Sequence, residues 1–486
     1  MNYSDAERMA TVLESLGYAK TENEKEADLF IVISCSVRES AALSIYGKVR
    51  DLNEMKEANP NFKAVLTGCV LEKDKKKLGK VFDIVMTMED LPKLPELLTT
   101  CHPERSEGSR DSSATPQNDN YLIITPKYQS HFRAYVPIST GCDNFCTYCA
   151  VPYTKGREKS RPLSDIVNEV RNLVQNGYKE ITLLGQNVNS YGNGLPNSRH
   201  PEPSEGSRTR ILDSSARPLN DESFTTLLQK LDAIPGDHRI YFYSNHPKDM
   251  SDELIATLAD LKHFPHYIHL PLQSGNDEII QKMNRHYTKA QYLELVAKIR
   301  KAMPDVTLTT DIIVGFPGET EKQFADTEDV MEKAKYDMAF IAQYSSREGT
   351  VSAKQPDDVS KTEKTQREKV LQEIVKATVL AHNKKLISTT QRILVDEEKN
   401  GKYFGRTEGY KVVEITFPVI APARPKPSEG GRSKATKQSI TELQEIAAPP
   451  ARNGVGNNKT DLVGRFVEVK IEIVSSWKLF GSIDSK

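Results

Sequence analysis

The sequence predicts an α/β protein: an amino-terminal parallel α/β domain, a partial barrel of six βα units, and a small β-barrel at the carboxyl end. Three observations predict it. Apolar runs of strand length alternate with helical stretches as far as about residue 360, which is the pattern of parallel sheets. The runs in the middle of the chain end one after another in polar or glycine-rich segments, as strands do at the working edge of a barrel. Beyond a charged helical segment the pattern changes to short strands that alternate apolar and charged residues.

Composition bounds the rest. A chain of 486 residues has room for two or three domains, and 37% hydrophobic with 27% charged residues is the balance of a soluble protein. No uninterrupted apolar run approaches a membrane span, and Met1-Asn2-Tyr3-Ser4-Asp5-Ala6-Glu7 lacks the basic and apolar regions of a signal peptide, so a cytoplasmic protein with no membrane partner is expected. Six cysteines are too few for a disulfide scaffold in so long a chain. A formal charge of -1 exerts no global pull on nucleic acid, so any RNA contact must come from local basic patches.

In chain order, residues 4 to 17 read as a helix with a Ser4 to Glu7 capping box, Met9, Val12, Leu13 and Leu16 at helical spacing, and Gly17 as its stop. An apolar strand, Leu29 to Ile33, ends in Ser34-Cys35. A helical stretch, Glu39 to Ala58, leads to a second strand, Ala64 to Leu66, ending in Thr67-Gly68-Cys69, and a third strand follows at Phe82 to Met86. Parallel strands finish at one edge, so Cys35 and Cys69 are expected to face one crevice. Taken alone, two such thiols read more readily as ordinary buried cysteines, since two thiols do not make a cluster site.

The middle region opens with a strand, Ala134 to Thr140, that runs into Gly141-Cys142-Asp143-Asn144-Phe145-Cys146-Thr147-Tyr148-Cys149. Three thiols spaced C-x3-C-x2-C can wrap one metal centre but leave a coordination position open, and an open position marks a reactive site. A zinc knuckle would need a second Cys/His pair at comparable spacing, and none lies nearby. Further strands read as Glu180 to Leu184, Arg239 to Tyr243, Tyr267 to Leu270, Thr307 to Val314 and Met338 to Ile341. Their loops begin Gly185-Gln186-Asn187, Ser244-Asn245-His246, Pro271-Leu272-Gln273, Gly315-Phe316-Pro317 and Gln343-Tyr344-Ser345.

Three polar stretches interrupt these elements. Residues 101 to 120 and 197 to 221 share near-identical text, His-Pro-Glu followed by Ser-Glu-Gly-Ser-Arg, and Arg424 to Gly430 echoes it within a third stretch, 418 to 459. Rich in Pro, Ser, Gly and charge, they read as flexible insertions at loop sites, and Cys101, at the edge of the first, is set aside as a ligand. The charged segment 361 to 386 reads as a helical linker. After it, Arg392 to Val395, Tyr410 to Phe417 and Phe466 to Ile473 are strands of a small barrel, an architecture that often binds oligonucleotides, with a purely architectural barrel the equal alternative. The boundaries are therefore 1–100 for the first domain, 128–360 for the core and 387–483 for the last domain.

C-x3-C-x2-C after a strand resembles the signature of the radical S-adenosylmethionine (SAM) superfamily. The chain outside the inserts resembles, more narrowly, the tRNA methylthiotransferases of the MiaB type. The resemblance lies in residues 146 to 158 with Ser160-Arg161-Pro162, in 183 to 191, in 269 to 275, in 310 to 320 and in 344 to 350. The 183 to 191 motif is similar to the branch acting on isopentenylated adenosine rather than those acting on threonylcarbamoyladenosine or a ribosomal protein. The resemblance implies that Cys142, Cys146 and Cys149 bind three irons of a 4Fe-4S cluster whose fourth iron chelates SAM. One electron then cleaves SAM to a deoxyadenosyl radical, which takes hydrogen from carbon 2 of the adenine. Gly185, Gln186 and Asn187 are the expected SAM-contacting loop.

The family also carries a second 4Fe-4S cluster on three amino-terminal cysteines, and Cys35 and Cys69 match the second and third of them. The first falls immediately before Met1-Asn2, so the expectation is that the true start lies upstream, that Met1 is an internal methionine, and that the sheet lacks its first strand. Lys155, Arg157, Lys159 and Arg161, beside the cysteine triplet, are candidates to grip a phosphate backbone, with a solvated charged loop the equal alternative. The family's carboxyl-terminal barrel is the TRAM module, to which residues 387 to 483 are similar. The implied partners are tRNA and a reducing electron donor, and the protein is expected to act as a monomer.

Overall fold

The computed structural model describes residues 1–35, 39–100, 121–192, 223–416 and 462–483, so the three expected inserts lie outside the described residues. The first unit is a parallel sheet in the order β1 (Leu29–Cys35), β2 (Lys63–Cys69), β3 (Ile84–Val85). Its strands are apolar throughout because both faces are covered. Leu29, Ile31 and Val65 pack with Met9 and the segment Met86 to Leu98, whereas Phe30, Val32, Ala64 and Leu66 pack with Ile45 and Leu52 of the helix Glu39–Ala58.

Two expectations change here. The first helix runs Asn2–Ser15, so Ser4 lies inside it and forms no capping box; its hydroxyl is taken by the buried Arg8 guanidinium. Gly17, at φ +86°, does stop the helix. The third strand shrinks from Phe82–Met86 to two residues because Asp83 turns its carboxylate onto the Ala64 amide and Lys56.

The core follows. The expected strand Ala134–Thr140 is split into β4 (Arg133–Pro137) and β5 (Ser139–Thr140), with β6 (Lys159–Ser160) pairing antiparallel to β5. Pro137 has no N–H to give, and past it the chain leaves the sheet. Next come β7 (Glu180–Leu184), β8 (Arg239–Phe242), β9 (Tyr267–His269), β10 (Thr307–Val314) and β11 (Met338–Gln343). Two parallel sheets, β4-β7-β8 and β9-β10-β11, meet where Ile240 N–H donates to His263 O (2.6 Å) and Asn245 Nδ2 to His269 O (2.9 Å). β4 and β11 do not pair among the described residues, so this is an open barrel of six strands. Ala134, Val136, Ile181, Leu183, Ile240, Phe242, Leu308 and Ile312 face the outer helices in one continuous core, leaving Tyr135, Thr182, Tyr241, Tyr267, His269 and Asp311 for the interior. The helix Lys361–Lys384 contributes Leu371, Val375 and Val379 to the same core, so it is a sixth outer helix as well as a connection.

The last unit is a closed barrel in the order β12 (Thr390–Lys399), β13 (Lys402–Arg406), β14 (Val412–Thr416), β16 (Leu479–Ile483), β15 (Phe466–Val474). β13 and β16 were not foreseen: each is five residues long and carries a glycine, which hides the alternation. The turn before β14 docks into the amino-terminal end of the core barrel. Tyr410 lies edge-on to Tyr241 and Tyr243 at 5.1 and 6.1 Å, Tyr241 Oη donates to Glu408 O (2.8 Å), and Gly409 leaves no space for a side chain beside Thr307. Beneath that turn the buried Glu180 accepts from Arg239 at 2.8 Å and also pairs with Arg133.

Candidate active site

The cysteine loop is closed at its base by the β5–β6 pair. Gly141, at φ +72°, begins it, and a Cβ there would lie 2.1 Å from Arg157 O, so only glycine allows the two arms to cross. Cys142 N–H then donates to Gly156 O (3.2 Å), and Phe145 adopts φ +46° to turn the chain between Cys142 and Cys146. The far side is stapled to residues 282 to 285: Thr147 N–H reaches Met283 O (3.1 Å), Thr147 Oγ1 reaches Lys282 O (2.8 Å), and Asn284 Nδ2 donates to Asn144 O and Phe145 O.

The resulting thiols suit an iron–sulfur centre. Cys142 and Cys146 are buried, Cys149 half-buried, and none is in a disulfide. Burial pushes the Cys142 thiol up to about 11 and the Cys149 thiol up to about 12, so these groups become thiolates only when a cation compensates them. Arg285, itself buried, points Nη1 at Cys146 Sγ (3.8 Å) and is fixed by Nη2 donating to Pro271 O (2.7 Å). Among the described residues no three His, Cys, Asp or Glu side chains converge on one point, as the ligands of a single ion would. A cubane has its irons at separate corners, so its thiolates stand further apart, and soft sulfur donors suit it.

Around the loop, the strand ends present buried polar atoms that have no partner in the protein: Ser139 Oγ, Asn187 Oδ1, Asn245 Oδ1, His246 Nε2 and Gln273 Oε1. Unpaired buried atoms are costly, so such a ring fits a polar cofactor that supplies the missing donors and acceptors. Of the expected loop, Gly185 packs against Ser139 Oγ, where a Cβ would come to 2.8 Å, Gln186 is half-buried, and Asn187 donates Nδ2 to Asp249 (2.7 Å) while its carbonyl stays free. Glu158 is buried beside them, and Ser190 Oγ donates to it at 2.7 Å; burial nonetheless pushes its carboxyl up to about 8, with Asp143 and Asp249 adding repulsion. Ser139, Glu158, His246 and Arg285 were not singled out from the sequence. Ser139 and His246 sat in strand ends whose polarity was the available signal, whereas nothing in the spacing marks Arg285.

The other two cysteines come together as the topology requires. Cys35 and Cys69 are register partners across β1 and β2, and Gly68, at φ +91°, lets the strand ends close up, since a Cβ there would meet Ser34 O at 2.4 Å. Burial raises the Cys69 thiol while the Lys155 charge and the Thr154 hydroxyl act to lower it. Thr154 closes the short helix Val151–Thr154 that begins just after Cys149, so this one turn of helix links the two cysteine sites. The four basic residues divide. Lys155 faces the buried Asp5 at 3.7 Å, and Arg161 is buried with Nη2 on Glu169 at 2.7 Å, so neither is available for phosphate. Arg157 and Lys159 are exposed; Arg157 pairs with Asp143 and lies over the Phe145 ring, and Lys159 faces Glu89.

Comparison with known proteins agrees with this geometry. Residues 136–331 match the radical SAM superfamily, and residues 1–88 match the uncharacterized protein family UPF0004. A tRNA-2-methylthio-N(6)-dimethylallyladenosine synthase from Thermoanaerobacter sp. (strain X514) is 40% identical over 426 residues, covering 85% of this chain and 84% of the relative. The enzyme of the same name from Acetivibrio thermocellus is 37% identical over 488 residues, covering 99% of this chain and 88% of the relative. Among solved structures, the radical SAM methyltransferase TsrM from Kitasatospora setae aligns with a TM-score of 0.49 at 13% identity, over 72% of this chain and 71% of that one.

Proposed function

Because the chain belongs to the tRNA-2-methylthio-N6-dimethylallyladenosine synthase family of radical SAM enzymes, we propose that it adds a methylthio group to carbon 2 of isopentenylated adenosine next to the tRNA anticodon. The observation that carries this is the pairing of two cysteine sites across one short helix. The helix Val151–Thr154 begins just after Cys149, and its Thr154 hydroxyl acts on the thiol of Cys69, the register partner of Cys35. One site alone suits cleavage of SAM; a second beside it suits delivery of sulfur to the same base.

In this reading Cys142, Cys146 and Cys149 hold a 4Fe-4S cluster, which when loaded supplies the electron that opens SAM. The protein does the rest by positioning. Asn187, Asn245, His246 and Gln273 present fixed polar atoms to SAM: Asn187 Nδ2 is held by the Asp249 carboxylate, Asn245 Nδ2 by His269 O, His246 Nδ1 by the Lys248 N–H, and the Gln273 backbone by Asp311 O, so little reorganisation is needed on binding. His246 is kept neutral, since burial drives its imidazole far below the ordinary range and Arg285 adds to the effect. Glu158, nearly neutral at pH 7 for the reason given above, avoids a negative charge beside thiolates. Cys35 and Cys69 contribute two ligands to a second cluster. The carboxyl-terminal barrel, similar to the TRAM module, and the exposed Arg157 and Lys159 take the RNA backbone.

The partners that follow are tRNA and a reducing electron donor, and a cytoplasmic monomer is the fitting state. Among the described residues no helix is long and apolar enough to cross a membrane. Nucleoside mass spectrometry of tRNA from a deletion strain, before and after complementation with this chain, tests the reading. The expected result is loss and return of 2-methylthio-isopentenyladenosine. An unchanged nucleoside profile with an altered ribosomal protein, or loss of the threonylcarbamoyl derivative, would overturn the choice of target.

A further inference from the structure

The open side of the core barrel is flanked on both lips by aromatic rings that no core requires. β4 and β11 are the terminal strands, so the opening lies between them. On β11, Ala339 and Ile341 pack on the helix layer, which turns Phe340 to the interior, where it remains 51% exposed. On the β4 side, Tyr3 of the first helix stacks on Tyr135 with centroids 5.8 Å apart and planes at 22°, and Tyr3 is 68% exposed. A large apolar ring in mid-strand normally lies covered, so Phe340, exposed on one lip of this opening, suits an occupant.

Polar groups beside Phe340 narrow the choice. Asp311 is its register partner on β10, and its carboxylate is partly exposed. His269, edge-on to Phe340 at 6.1 Å, is held between Thr309 Oγ1 (3.0 Å) and Asp311 Oδ2 (3.3 Å). Deeper in the barrel, Thr182 Oγ1 is buried without a partner. A flat face with an acceptor at its edge and a further polar atom behind it suits a heteroaromatic ring bearing an exocyclic N–H, and adenine has both.

We propose that Phe340 is the stacking platform for the target adenine after it is turned out of the RNA, with Asp311 accepting from its exocyclic nitrogen and the Tyr3–Tyr135 pair closing the other lip. The inference rests on the reading of the chain as acting on a tRNA adenosine. It makes Phe340 a specificity-determining residue that touches substrate. Two sources of adenine exist, the RNA and SAM, and the platform is assigned to the RNA because it stands on the lip of the opening.

The test uses the full chain with its cluster reconstituted and an anticodon stem-loop RNA carrying 8-vinyladenine, a fluorescent adenine that keeps the exocyclic amino group and carbon 2 free, at the target position. Stacking on Phe340 quenches the probe, so Phe340→Leu should leave it brighter and weaken binding about tenfold, within the range of a lost base–aromatic stack. Phe340→Tyr should restore both. An RNA abasic at that position should bind wild type and Phe340→Leu alike, and SAM affinity by equilibrium dialysis should be unchanged, which a general folding defect would not allow. Weakened SAM binding with unchanged RNA binding would assign the platform to SAM and overturn the proposal, as would an equal loss on the abasic RNA. Should wild type bind the intact and abasic RNA equally, the target reading itself has failed.

Discussion

Replacing Tyr410 by alanine should release the carboxyl-terminal barrel from the core without unfolding either. The ring sits edge-on to Tyr241 at 5.1 Å and Tyr243 at 6.1 Å, is tilted against Tyr267 at 5.8 Å, and carries the Arg406 guanidinium at 4.9 Å. Aromatic pairs contribute about 0.5–1.5 kcal/mol each beyond burial, and truncating a well-packed ring costs about 3–5 kcal/mol. Because Tyr410 is only partly covered, the lower figure of about 3 kcal/mol applies, which raises the undocked population about 100-fold. Hydrogen exchange reads this directly. Amides of the 407–411 turn should exchange about 100-fold faster, while the β12 and β15 ladders stay protected by their own core of Ile393, Val395, Val469 and Ile471. Turn exchange within threefold of wild type would refute the argument that this ring anchors the dock.

Two other perturbations follow from the site. Gly141→Ala places a Cβ 2.1 Å from Arg157 O at φ +72°, where the backbone alone costs about 1–2 kcal/mol, so the cysteine loop must reopen; anaerobically reconstituted variant should lose most of its iron and sulfide while far-ultraviolet dichroism is unchanged. Glu158 has a folded-state pKa raised to about 8, so its contribution to stability is fully present below the ordinary carboxylate range and is lost as pH rises through about 8. Glu158→Gln can still accept from Ser190, and should therefore match wild type in thermal unfolding at pH 5 and exceed it at pH 8.5; equal unfolding curves at both pH values would count against a buried, protonated carboxyl.

Several elements were legible because their residues answer to local rules. Glu180–Leu184, Thr307–Val314 and the helix Glu39–Ala58 fall where apolar runs and helical periodicity put them. Cys142, Cys146 and Cys149 stood out because three thiols in one short window have few uses, and the parallel arrangement put Cys35 beside Cys69. Local rules failed where another side chain or amide took the group in question. Ser4 looked like a cap but gave its hydroxyl to Arg8, and the Phe82–Met86 run was cut short by Asp83 reaching the Ala64 amide. Arg161, a candidate phosphate ligand with a solvated loop as the equal alternative, is instead buried and held by Glu169 on the following helix.

What the sequence determined by itself is the chemistry available: thiol spacing, strand and helix order, and which strand ends are polar. Those follow from covalent neighbours, since spacing along the chain sets which groups can share one turn or one loop. Only the tertiary structure decided which of these groups remain unspent. Arg285 reaches Cys146 from far along the chain, Asn245 and Gln273 keep a polar atom unpaired, and Phe340 is left exposed at an opening that exists because β4 and β11 stay apart. The reason is that burial and pairing are properties of packed surfaces, and a residue's partners are fixed only when the whole chain has closed around it.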